Sequence, residues 1–220
     1  MEIKVLEEVL AANELIAREI NALLSENGIF GVNMMSSPGS GKTTILEKTI
    51  EALMPEVNVG VIAGDVATTR DAERLSEHNA SVIQIDTDTF GGACHLEAQW
   101  VKRALPTFDL KKLDVLFIEN IGNLICPSGY NLGEHIKVVV VSVTEGEDKP
   151  IKYPAMFSMA HAVLVNKIDL LPHLDFDIVK LRGHINNVAA NSKVFEVSAR
   201  SDEGMDKWVE WLKLRVKEFK

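Results

Sequence analysis

Ser36-Ser37-Pro38-Gly39-Ser40-Gly41-Lys42-Thr43-Thr44 is a glycine-rich turn between an apolar run at 29–35 and a helix-like segment that begins at 45. Successive backbone N–H groups in such a turn point at one spot, and the N-terminus of the following helix adds its positive dipole. That arrangement is a phosphate cradle. Lys42 is placed to put a point charge on the β- and γ-phosphates, and the Thr43 hydroxyl is a ligand for Mg²⁺. Gly39, Ser40, Gly41 and Thr44 complete the nucleotide-binding loop. The strict pattern, G-x-x-x-x-G-K-S/T, has glycine where Ser36 stands here, so the unusual backbone angles fall to Gly39 and Gly41.

Two further loops predict which base the nucleotide carries. Asn166-Lys167-Ile168-Asp169 follows the apolar run 162–165. The Asp169 carboxylate can accept from both N1–H and the 2-amino group of guanine. Adenine lacks that donor pair and would leave the carboxylate unpaired. Asn166 is expected to brace the loops, and the Lys167 stem to cover the purine face. Ser198-Ala199-Arg200 fits the last base-contacting loop, so GTP is expected rather than ATP. Glu119 and Gly122, in Glu119-Asn120-Ile121-Gly122, supply a carboxylate for metal-bound water and an N–H for the γ-phosphate. Asp65 is a second carboxylate, for Mg²⁺ or for orienting the attacking water. Lys42, Asp65 and Gly122 are therefore the expected catalytic groups, and Thr43, Asp65 and Glu119 the Mg²⁺ set. Thr68, Thr69, Arg70 and Asp71 are expected to form a switch loop that orders on GTP.

The two cysteines, Cys94 and Cys126, form a third set with His95. Thiolate and imidazole suit borderline metals such as Zn²⁺ and Ni²⁺, and a Cys94 near a helix start would have its thiolate favoured. Buried cysteines also serve as packing. Neighbours on a helix point about 100° apart, so one chain is not expected to close a full shell with them. Sharing across a two-fold axis would complete it.

These residues need a scaffold that gathers strand ends. The chain of 220 residues, 46% hydrophobic and 25% charged, is long enough for one α/β domain with a substantial core. Its net charge of −9 argues against nucleic acid or an anionic membrane surface as a partner. No apolar run approaches a membrane span and no signal-peptide core opens the chain, which predicts a cytoplasmic protein. Residues 1–27 read as an amphipathic helix, with Val5, Val9, Ile16, Ile20, Leu23 and Leu24 at helical spacing. It is either a layer on the sheet or an assembly arm, ahead of a phosphate-loop domain at 28–220. Strands are expected at 29–35, 57–63, 81–86, 114–119, 137–143, 162–166 and 193–198. Helices are expected at 43–53, around 69–78, and at 94–104, 150–160, 176–190 and 204–218. Such alternation predicts a mostly parallel sheet with helices on both faces. Ligands then collect beyond the carboxyl ends of its strands.

The run Ser36–Thr44, Gly64-Asp65, Cys94-His95, the stretch from Glu119 to Pro127, the stretch from Glu145 to Pro150, and Asn166–Asp169 together resemble the HypB family. These are GTPases that help insert nickel into nickel–iron hydrogenase, and the resemblance covers nearly the whole chain. It implies a P-loop NTPase fold of the dimerising SIMIBI class and GTP-driven homodimerisation. It also implies Ni²⁺ or Zn²⁺ on Cys94, His95 and Cys126, and Lys149 near the subunit interface. A partner nickel metallochaperone and a hydrogenase large subunit are the implied protein partners. The first 77 residues contain neither Cys nor His, so the nickel-storing tail of some family members is not expected. A urease-accessory GTPase, which has Cys-Pro-His after Gly-Gly, fits Ala93-Cys94-His95 and Cys126-Pro127 less well. A P-loop small-molecule kinase is the remaining alternative.

Overall fold

The computed structural model describes residues 2–65, 74–78, 80–88 and 92–220, with backbone alone for residues 2–8 and 65. Among these, seven strands form one sheet: β1 (Phe30–Ser36), β2 (Val59–Asp65), β3 (Ser81–Asp86), β4 (Val115–Gly122), β5 (Ile136–Ser142), β6 (Ala162–Asn166) and β7 (Lys193–Glu196). Their order is β3-β2-β4-β1-β5-β6-β7 and every pairing is parallel. Both faces are covered, which is why Val138–Val141 and Val115–Ile118 can be apolar throughout. Besides a helical segment at 74–76, the described helices in chain order are α1 (Glu2–Glu26), α2 (Lys42–Leu53), α3 (Ala98–Ala104), α4 (Lys149–Lys152), α5 (Pro154–Ser158), α6 (Ile178–Val188) and α7 (Met205–Phe219).

Side chains alternate across each strand. Val32, Met34, Val115 and Phe117 point towards α2 and α7. Leu116 and Ile118 point the other way, towards α1 and α3, while Val139, Val141, Val163 and Val165 meet α5 and α6. This alternation continues to the end of β4, where it puts Glu119 on the α2 side and Asn120 on the α3 side.

Several expected boundaries shift, each for a physical reason. Strand β4 runs three residues past its expected end at Glu119, to Gly122: Glu119 pairs with Met34 and Ala63, and Gly122 with Ser36, so the carboxylate sits inside the strand. The helix expected from 94 starts at Ala98. Side chains from elsewhere take the amides that would begin it: Leu96 N–H donates to Asn120 Oδ1 (3.2 Å) and Ala98 N–H to Asn13 Oδ1 (2.8 Å). The helix expected over 150–160 is two short helices, α4 and α5, divided at Tyr153 because Pro154 lacks the N–H to continue. On α1, Ile20 and Leu24 are buried as expected, but Val9 and Leu23 are exposed and Asn13 and Ala17 face inward. Asn13 draws that face in by also donating to the Asn131 carbonyl. Gly133, at φ +86°, lets Ile20 approach; a Cβ there would stand 2.5 Å from Ile20 Cγ2.

The registers Ser36↔Gly122, Ala63↔Glu119 and Ser142↔Asn166 bring the carboxyl ends of β1, β2, β4, β5 and β6 to one edge. In parallel sheets that edge is where ligands bind.

Candidate functional site

The phosphate loop leaves β1 at Ser36 and returns as α2 at Lys42. It lines a cleft of 390 Å³ with Gly64, Arg74, Ile121 and Gly122. Gly41 sits at φ +90°, and a Cβ there would lie 2.4 Å from Asn166 Nδ2, so only glycine fits. Asn166 explains the close approach. Its Nδ2 donates to the Ser40 carbonyl (2.8 Å) and its Oδ1 accepts from Ala199 N–H (3.1 Å), which ties the phosphate loop to both base loops. Lys167 stands in the left-handed region at φ +64° and donates to the Gly39 carbonyl (2.7 Å). Ser40 Oγ, in the loop that lines the cleft, is buried and has no hydrogen-bond partner.

Glu119 is 2% exposed and holds two groups with one oxygen: Oε1 accepts from Lys42 Nζ (2.7 Å) and from Thr43 Oγ1 (2.6 Å). Its Oε2 is buried and has no hydrogen-bond partner. An unsatisfied carboxylate oxygen beside a threonine hydroxyl at a phosphate cradle is a donor set that fits Mg²⁺. Asp65 ends β2, opposite Asp86 of β3, and its side chain lies outside the described residues. The expected switch residues Thr68, Thr69, Arg70 and Asp71, and Gly91 of the Gly-Gly pair, also lie outside them.

A second cavity of 330 Å³ opens beside the first and shares Gly41 and Thr44 with it. Its other walls are Leu170 and the six residues expected to hold a base: Asn166, Lys167, Asp169, Ser198, Ala199 and Arg200. Ser198 Oγ donates to Asp169 Oδ1 (2.6 Å), so one oxygen of this cavity-lining carboxylate is anchored.

Cys94, His95 and Cys126 meet on the α3 side of the sheet, with ligand atoms all within 4.8 Å of one another. This corrects the helix-based objection: Cys94 and His95 precede α3, in a loop that turns both side chains to one place. It also corrects the expected thiolate. The hydrogen bond with Cys126 and then burial push the Cys94 thiol above its ordinary value. Burial holds His95 below the usual histidine value, and its Nε2 is buried without a hydrogen bond, 4.0 Å from Glu97. Two thiols with a neutral imidazole and an unsatisfied ring nitrogen fit Zn²⁺ or Ni²⁺.

Sequence reasoning missed several neighbours of these sites. Tyr130 packs on the His95 ring at 3.9 Å between centroids. Asn123 donates to Cys126 Sγ (3.3 Å) and accepts from the amides of Ile125 and Cys126. Arg74 reaches Thr44 (3.2 Å) and Glu47 (2.6 Å) at the cleft wall. Glu145 accepts from Ser37 Oγ and from Ser142 N–H (3.0 Å), and pairs with Lys149 (3.6 Å). Tyr130 and Arg74 are single residues outside any spaced motif, whereas Asn123 and Glu145 lie in the stretches Glu119–Pro127 and Glu145–Pro150 that carry the resemblance.

A family profile described as CobW/HypB/UreG, nucleotide-binding domain, matches residues 31–196. The chain belongs to the CobW/HypB/UreG family. It is 45% identical over 210 residues to the hydrogenase maturation factor HypB of Azotobacter chroococcum, covering 96% of this chain and 68% of that protein. Among solved structures it is similar to HypB from Helicobacter pylori in complex with nickel. That match has a TM-score of 0.88 and 36% identity, over 94% of this chain and 96% of that one. HypB from Archaeoglobus fulgidus matches with a TM-score of 0.87 and 35% identity, over 94% and 99%. The sheet order, the phosphate loop and these neighbours make the fold that of a P-loop NTPase. Among the described residues no helix is long and apolar enough to cross a membrane.

Proposed function

We propose that this protein is a GTP-hydrolysing nickel metallochaperone of hydrogenase maturation, a cytoplasmic single-domain chain that dimerises on GTP. The observation that carries the reading is β4. One strand presents Glu119 to the phosphate loop and leads, four residues past Gly122, to Cys126 in the Cys/His cluster. The nickel-bound HypB relative supports nickel as the cargo, and the same donor set accepts zinc.

GTP specificity follows from Asp169. Ser198 fixes its orientation, and the two-donor edge of guanine satisfies a carboxylate that adenine leaves unpaired. The ammonium of Lys42 and the hydroxyl of Thr43 rest on Glu119. A triphosphate offers both groups anionic oxygens, so binding releases them from Glu119. Lys42 and the loop amides, with the Gly122 N–H at the γ-phosphate, then stabilise charge as the terminal phosphoryl leaves. Mg²⁺, when held by Thr43 with Glu119 and Asp65, supplies further charge stabilisation to the phosphates. Asp65 orients the attacking water.

Three protein ligands leave a metal ion short of four, and a second copy of the chain completes the set across a two-fold axis. Dimerisation thereby links nucleotide state to metal retention, and hydrolysis reopens the site for transfer to a partner nickel metallochaperone or the hydrogenase large subunit. Size-exclusion chromatography with light scattering, run with GDP and with a non-hydrolysable GTP analogue and with metal content read on each peak, tests this. A dimer with the analogue, whose metal is lost in Cys94→Ser and Cys126→Ser, is expected. No dimer shift, with metal content indifferent to both cysteines, would overturn the reading.

A further inference from the structure

The end of β4 faces two ways. Glu119 reaches the phosphate loop, and the next residue, Asn120, is fully buried on the opposite face. Asn120 uses one oxygen twice: Oδ1 accepts from Ile121 N–H of its own strand (2.9 Å) and from Leu96 N–H (3.2 Å). Leu96 directly follows His95 in the chain and is itself fully buried. Its side chain lies against Gly64, which lines the phosphate cleft; a Cβ at Gly64 would stand 3.0 Å from three Leu96 carbons. The residue after His95 is therefore clasped from two sides by strand tips that also wall the nucleotide cleft.

We infer that Asn120 is the positioning residue through which the phosphate site sets the placement of Cys94 and His95 relative to Cys126. This deepens the reading above and rests on it. Cys126 follows β4 directly, whereas Cys94 and His95 arrive on a separate loop. The shared Asn120 oxygen is what registers that loop to the strand. A shift of β4 on release of Glu119 must carry Leu96 with it, because separation would leave a buried amide unpaired.

The test is Ni²⁺ titration followed by sulfur-to-nickel charge-transfer absorbance. It uses the full chain loaded with GDP or with a GTP analogue, as wild type, N120A and N120D. A coupled wild type should show a difference in nickel affinity of about tenfold between nucleotide states. In N120A that ratio falls to about twofold or less, while N120D, which keeps the acceptor oxygen, restores it. GTP hydrolysis by both variants stays near that of the wild type. Amide exchange at Leu96 in the wild type provides a second readout should N120A not fold: protection in both nucleotide states supports the clasp, and rapid exchange in either overturns it. A wild-type ratio preserved in N120A overturns this inference alone. A wild type without nucleotide dependence overturns the proposed function and this inference with it.

Discussion

Replacing Glu119 by alanine removes the only counter-charge on Lys42 among the described residues. The pair is 2.7 Å apart, with side chains 10% and 2% exposed. Breaking one side of a buried ion pair costs about 3–5 kcal/mol. The slight exposure of Lys42 lets water relieve part of this, which puts the effect near the lower bound, about 3 kcal/mol. For a chain of this size each kcal/mol moves Tm by about 2–4 °C, so nucleotide-free E119A should melt about 6–12 °C below wild type. With GDP bound in EDTA, phosphate replaces the carboxylate as the partner of Lys42. Only the Thr43 hydrogen bond then remains lost, worth about 1 kcal/mol. By linkage the difference of about 2 kcal/mol must appear in binding, so Mg²⁺-free GDP should bind E119A about 30-fold more tightly than wild type. Differential scanning calorimetry without nucleotide and isothermal titration with GDP, both in EDTA, measure the two arms. A Tm loss of that size with unchanged GDP affinity would refute the reasoning, because Glu119 would then not compete with phosphate for Lys42.

Gly41→Ala forces a side chain into the left-handed region and onto Asn166, combining about 1–2 kcal/mol of strain with about 1 kcal/mol for a broken Asn166 bond. GTP affinity measured by fluorescent-nucleotide competition should fall roughly 30- to 150-fold, and a fall under threefold would sink the argument. Asp169→Asn turns one acceptor into a donor facing guanine, so GTP binding should weaken by about 2–3 kcal/mol while ATP binding changes little; equal losses for both nucleotides would count against the base assignment. His135 Nδ1 accepts from Gly31 N–H (2.8 Å) and its Nε2 meets Ser25 Oγ (3.1 Å), and burial holds its pKa below the ordinary 6.5. The folded chain thus favours neutral His135: this stability is present above pH 6.5 and is lost as pH falls from there towards the folded value. Urea midpoints from about pH 7.5 to 5.5 should drop more steeply in wild type than in His135→Gln, and parallel curves would refute the assignment.

The features legible in the chain are those that backbone chemistry writes locally. Gly39 and Gly41 beside Lys42 announce a turn that aims amides at phosphate. Val138–Val141 announces a strand covered on both faces. Asn166–Asp169 after such a strand announces a polar loop at the ligand edge of the sheet, where it lines the second cavity. Boundaries failed where a distant side chain captured a local amide. Leu96 and Ala98 would read as a helix start, yet Asn120 and Asn13 take their N–H groups. On α1 the apolar spacing marked Val9 and Leu23 as inner residues, but the inner face follows Asn13 and Ala17, because polar clasps to Ala98 and Asn131 outweigh two aliphatic side chains.

The sequence by itself determined the residue types: a phosphate loop, a carboxylate at Asp169 on a strand-end loop, two thiols and an imidazole. Only the tertiary structure decided what these groups do to each other. Lys42 and Glu119 are 77 residues apart, and Ser40 and Asn166 are 126 apart. No local pattern encodes those meetings, because parallel strands place residues by crossover and register rather than by spacing. The same alternation that any strand shows sent Glu119 to the phosphate loop and Asn120 to Leu96. Glu119 beside the phosphate loop and Asn120 beside the loop that carries Cys94 and His95 therefore share one strand end, a consequence of which strands lie side by side.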